Sequence, residues 1–151
     1  MASHDNKNIT GIRQPAEEYG GTEQSREIKA LKKILPDLRA ENKILAAILY
    51  GSFSKGNTHA RSDIDLAIYL NTSNEDEGIA VIDKILMRAD RRVSILRLND
   101  EDESPFIIQE ALKGIHLVEP DKNILYKTTV CALHDAECIR FRRGMDNYLI
   151  L

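Results

Sequence analysis

Tyr50-Gly51-Ser52-Phe53-Ser54-Lys55-Gly56-Asn57-Thr58-His59-Ala60-Arg61-Ser62-Asp63-Ile64-Asp65-Leu66 decides how the rest of this chain is read. An apolar run, Ile44 to Tyr50, enters it and stops at a glycine. A second run leaves it, and from Asp63 to Leu70 that run alternates. Ile64, Leu66, Ile68 and Leu70 fall on one side; Asp63, Asp65, Ala67 and Tyr69 fall on the other. In a strand this alternation buries the first set and puts both carboxylates on the opposite face, two residues apart. Aspartate is a poor strand former, and two like charges side by side repel. A divalent cation between them reverses that cost, and Mg²⁺ is typically held by one or two carboxylates plus the phosphates of a substrate.

The turn between the runs supplies what those phosphates need. Gly51 lets the backbone reverse and approach a ligand closely. Ser52 offers a hydroxyl and, with Phe53, backbone N–H groups at an expected helix N-terminus, an anion site. Lys55 adds a point charge to a phosphate tail. Ser62 is placed to hydrogen-bond back to the turn. His59 and Arg61 read as solvated loop residues. The expected unit is therefore a strand, a phosphate-cradling turn and a metal-binding strand.

The spacing Gly51-Ser52, ten residues, Asp63-x-Asp65 resembles the signature of polymerase-beta-like nucleotidyltransferases. The fuller run Tyr50-Gly51-Ser52-Phe53-Ser54-Lys55-Gly56 with Arg61-Ser62-Asp63-Ile64-Asp65-Leu66 is similar to the short "minimal nucleotidyltransferase" members, over roughly residues 24–120. Many of these are antitoxins encoded beside a helical toxin of the HEPN class. The resemblance implies transfer of AMP from ATP to a hydroxyl, with the acceptor a tyrosine of a HEPN-type toxin. Asp63 and Asp65 are then the catalytic and metal residues, Gly51, Ser52, Lys55 and Ser62 the nucleotide-binding ones, and Mg²⁺ the cofactor. The family also carries a third carboxylate on the neighbouring strand. Here that run is Val93-Ser94-Ile95-Leu96-Arg97-Leu98, so Ser94 stands where the acid is expected and the two-metal site is incomplete. Serine is neutral and cannot act as a base near pH 7; only Asp90 or Asp100 could compensate. Two alternatives follow: a catalytically weak fold that neutralises its partner by binding, and a small-molecule nucleotidyltransferase, for which about 30 residues after the sheet leave little room.

Composition agrees with one small domain. The chain has 151 residues, 42% hydrophobic and 30% charged, enough for a single core. A net charge of −3 gives no basic field for nucleic acid, and three Phe, five Tyr and no Trp leave few stacking platforms. No apolar run reaches membrane-span length, and a cytoplasmic protein is expected. Cys131 and Cys138, seven apart on one helix, cannot readily bridge and are expected to be buried thiols.

Residues 1–22 show no apolar period and read as a disordered arm, leaving 23–151 as a single nucleotidyltransferase domain. Ile28, Leu31, Ile34 and Leu35 mark a helix that Pro36 should end. Ile79, Ile82, Leu86 and Ala89 mark a second stripe. Val93–Leu98 reads as a strand, Ser104-Pro105 opens a short helix that Gly114 closes, Ile115–Val118 is a strand, and Pro120-Asp121 starts a last helix. On that helix Ile124, Cys131, Cys138 and Met145 recur every seven residues, a packing stripe for the core or for another subunit. Arg140, Arg142 and Arg143 form a small basic cluster. The expectation is an α/β (α+β) fold, a mixed sheet of about four strands with helices packed on it. The chain is expected in a homo-oligomer or a hetero-complex.

Overall fold

The computed structural model describes residues 28–51 and 63–150. Four strands form one mixed sheet: β1 (Ile44–Tyr50), β2 (Ile64–Leu70), β3 (Val93–Arg97) and β4 (Ile115–His116), ordered β3-β2-β1-β4. β1 pairs antiparallel with both β2 and β4, while β2 and β3 run parallel. The helices are α1 (Lys29–Ala40), α2 (Glu75–Arg88), α3 (Pro105–Leu112) and α4 (Lys122–Ile150).

The alternation in β2 sorts the two layers. Ile64, Leu66, Ile68 and Leu70 join Ile44, Ala47 and Leu49 against α1 and α2, whose Leu31, Leu35, Leu38, Val81 and Ile85 close that core. Ala46, Ile48, Ala67, Leu96 and Leu98 face the other way, onto Ile108 and Ala111 of α3 and Ala132 of α4. Small residues at 46, 67, 111 and 132 let these helices lie close to the sheet. The expected N-cap is in place: Phe106 N–H donates to Ser104 Oγ, with Pro105 opening α3. Asn74 caps α2 by accepting from Glu77 N–H, and Asp121 caps α4 by accepting from Ile124 N–H.

Three expectations are corrected. α1 does not end at Pro36 but runs through it to Ala40. Proline removes one intrahelical hydrogen bond, while the next turn buries Leu38 and lets Arg39 Nε donate to the Glu119 carbonyl at 2.9 Å. In α2 the core-facing line is Gly78, Val81 and Ile85, with Ile79 and Leu86 exposed, so the apolar stripe is rotated from the expected one. Cys131 and Cys138 are exposed rather than buried, because the line of α4 that meets the body carries Ala132 and Ala136. The proposed disordered arm, 1–22, lies outside the described residues. No helix among the described residues is long and apolar enough to cross a membrane.

β4 is two residues long, yet the chain beyond it continues to cover the outer edge of β1. Leu117 N–H donates to the Ala47 carbonyl at 2.8 Å, and Asp121 N–H donates to the Leu45 carbonyl at 2.9 Å. Gly114 makes this approach possible: a Cβ there would strike the Leu49 carbonyl oxygen and come within 2.9 Å of Ile48 Cγ2. Backbone cannot yield as a flexible side chain does. Gly114→Ala is expected to cost about 1–3 kcal/mol, the range for overpacking, read as a lower urea midpoint with an unchanged slope.

Candidate active site

The site is built on β2, a strand hydrogen-bonded on both sides. Asp65 pairs across the sheet with Tyr50 of β1 on one side and Ser94 of β3 on the other. Because Ile64 is fully buried on the α1–α2 side, Asp65 and Asp63 are directed to the opposite face. Val93 and Ile95 pack against that same buried core, so Ser94 shares the face of Asp65. Ser94 is exposed, so nothing packs it in place.

Gly51 lies under Asp65. Its φ is +72°, a left-handed conformation that disfavours a side chain, and a Cβ would collide with Asp65 Oδ2 and stand 3.2 Å from Cγ. The turn glycine and the metal-type carboxylate are therefore in direct apposition. Ser52, Lys55 and Ser62 lie outside the described residues, as do His59 and Arg61.

The electrostatics of the pair fit a cation. Burial, and then the charge of Asp63, hold the Asp65 carboxyl above its ordinary range. Asp63 has one cationic neighbour, Arg92, with Nε 4.0 Å from Oδ2, and both groups are well exposed. Among the described residues no three His, Cys, Asp or Glu side chains converge as a metal cluster. Asp100 is no substitute for an acid at position 94: it acts on the Arg97–Glu75 pair at the far end of β3. Two close carboxylates, one partly desolvated, fit a Mg²⁺ that arrives with phosphate oxygens of a nucleotide.

Two neighbours carry no signal in the motif. Tyr50 stands beside Asp65, and burial first, then Asp65 and Glu103, push its phenol up. Tyr50 could have been found from the alternation of β1; Glu103, far away in sequence, could not.

The family model for Polymerase beta, Nucleotidyltransferase matches residues 32–123, which span α1, the whole sheet and the start of α4. The chain belongs to this family. No curated protein matches it in sequence. Three solved structures share the fold. One is described as a toxin–antitoxin with AMP-PNP, at 20% identity and TM-score 0.57, covering 81% of this chain and 98% of the other. A second is the MntA–HepT toxin–antitoxin, at 17% identity and TM-score 0.54, covering 82% and 98%. A third is a tri-AMPylated Shewanella oneidensis HEPN toxin in complex with MNT antitoxin, at 16% identity and TM-score 0.54, covering 82% and 98%. In this family fold Asp63, Asp65 and Gly51 occupy one surface of the sheet, where the sequence pattern placed them.

Proposed function

We propose that this nucleotidyltransferase-family chain transfers AMP from ATP to a hydroxyl, a tyrosine of a HEPN-type helical toxin, and so acts as its antitoxin. The observation that carries the reading is Asp63 and Asp65 on one face of β2 with Gly51 against Asp65. The printed descriptions of the fold relatives, an AMP-PNP complex and an AMPylated HEPN toxin bound to an MNT antitoxin, support the choice of nucleotide and acceptor.

In this reaction the acceptor oxygen attacks the α-phosphorus, the bond from that phosphorus to the β-bridging oxygen breaks, and pyrophosphate leaves with the electron pair. Asp63 and Asp65 would hold Mg²⁺, which supplies charge neutralisation at the phosphate oxygens when bound. Gly51 lets the backbone come close beneath the nucleotide, and Ser52, Lys55 and Ser62 orient the phosphate tail. Ser94 cannot take the acceptor proton as a carboxylate would. That deficit favours a second reading, in which the fold neutralises its toxin by contact with slow transfer or none.

Melting in the presence of ATP and Mg²⁺ tests the site. Ligand at 100 times its Kd adds about 2.7 kcal/mol to stability, so a clear rise in Tm is expected. Asp63→Ala with Asp65→Ala should abolish its magnesium-dependent part. An unchanged shift in the double variant would place the nucleotide elsewhere.

A further inference from the structure

α4 is 29 residues long, and only one side of it meets the body. Ala132 and Ala136 are buried, and Arg140 and Arg143 lie over the Phe106 ring of α3 at 5.2 and 5.8 Å from its centroid. At 100° per residue these four span one narrow arc. The opposite side carries Tyr126, Val130, Leu133, Phe141 and Met145, which are 73, 47, 53, 69 and 45% exposed. The open, mostly apolar patch at its centre is formed by His134, Glu137, Cys138, Phe141 and Arg142. A helix with an apolar stripe this wide normally buries it against something.

The order of residues along the stripe says what covers it. Tyr126 and Met145 lie equally far from a point midway between residues 135 and 136. The same holds for Val130 and Phe141, for Leu133 and Cys138, and for His134 and Glu137. Around the helix the first and second members of each pair fall on opposite sides of the stripe's midline. This is the arrangement in which two antiparallel helices meet with each layer made of one residue from either side. A two-fold interface must be self-complementary, every contact occurring twice. Read against itself, the stripe puts an aromatic on a methionine, a valine on a phenylalanine and a leucine on a thiol. The two polar residues, His134 and Glu137, face each other at the centre. Within one chain these already have neighbours: Glu137 pairs with Arg140, and Cys138 Sγ lies 3.6 Å from His134 Nε2.

We infer that α4 is a homodimerisation helix, pairing antiparallel with α4 of a second copy about a two-fold axis between residues 135 and 136. The sevenfold recurrence of Cys131, Cys138 and Met145 belongs to this exposed side rather than to the core. The interface lies on the side of α4 away from the sheet, so Asp63 and Asp65 stay accessible in the dimer.

Sedimentation of the full chain over a range of concentrations tests the inference. Wild type is expected at twice the chain mass, and Val130→Glu with Phe141→Glu at the chain mass. Circular dichroism should show the variant folded, since both side chains are exposed in the single chain, and its ATP–Mg²⁺ melting shift should match wild type. The orientation has its own readout. Leu133→Cys should form a disulfide on mild oxidation between position 133 of one copy and Cys138 of the other, located by peptide mass spectrometry. Cys138 of one copy and Cys138 of the other sit too far apart along antiparallel axes to bridge. A wild-type monomer, a dimer that survives the double substitution, or rapid Cys138–Cys138 bonding in the wild type would each overturn the inference. So would a stripe that is covered only when a helical partner protein is added.

Discussion

Ser94→Asp is expected to speed nucleotidyl transfer by about 10²–10⁴, the usual contribution of a positioned general base. The register places residue 94 directly beside Asp65, on the same face, in a parallel pair of strands. An aspartate there stands where it can complete a three-carboxylate site and accept the proton of the attacking hydroxyl. Ser94 is exposed, so the substitution disturbs no packing; its cost is the repulsion of a third charge beside Asp65 and Asp63. Labelled ATP, Mg²⁺ and the cognate toxin give the measurement. Fast transfer by the wild type with no gain in the variant would show that another carboxylate serves. Absence of transfer by both proteins, with the toxin still neutralised at one-to-one stoichiometry, would favour the contact reading.

Asp65→Asn should move activity and stability in opposite directions. Transfer is expected to fall by about 10³, because losing roughly 4 kcal/mol of metal-supplied charge stabilisation corresponds to three factors of ten. Stability of the nucleotide-free protein should rise. The folded pKa of Asp65 lies above its ordinary 3.8, so between those two values the folded state holds the proton that the unfolded chain has released. Stability therefore drops as pH rises through that window, and the penalty is fully present at neutral pH. The asparagine variant removes it. As the group is largely solvent-exposed, the gain is about a few tenths of a kcal/mol, the scale of screened charge pairs. Melting curves of the two proteins should converge at acid pH and separate at neutral pH, and Mg²⁺ with ATP should reverse their order.

Much of this arrangement is written locally. The alternation Ile64-Asp65-Leu66-Ala67-Ile68 specifies a strand, its buried face and the face bearing the carboxylates without reference to any other element. Ser104-Pro105 and Asp121 carry their caps in their own side chains. What could not be read depends on distant packing. Pro36 lies within α1 because Leu38 and Arg39 find partners from the sheet and from residue 119. Val81 rather than Ile79 faces the core because α2 is rotated to meet α1, and periodicity alone admits either stripe. The exposure of Cys131 and Cys138 follows from which side of α4 carries the alanines, which decide only once α3 and the sheet are in place. Glu103 reaches the surroundings of Tyr50 by a route that no sequence spacing encodes.

The covering of β1 has a consequence for the chain while it is being made. The strands that build the site, β1, β2 and β3, are all complete by residue 97, but the outer carbonyls of β1 at 45 and 47 are taken only by Leu117 and Asp121. A nascent chain halted before that point would display an apolar edge, Ile44-Leu45-Ala46-Ala47-Ile48-Leu49, with its hydrogen-bonding groups free to recruit another strand. The last third of the sequence thus acts as a built-in chaperone for the first, and truncated forms ending before Ile115 should accumulate as aggregates even though the motif residues are all present.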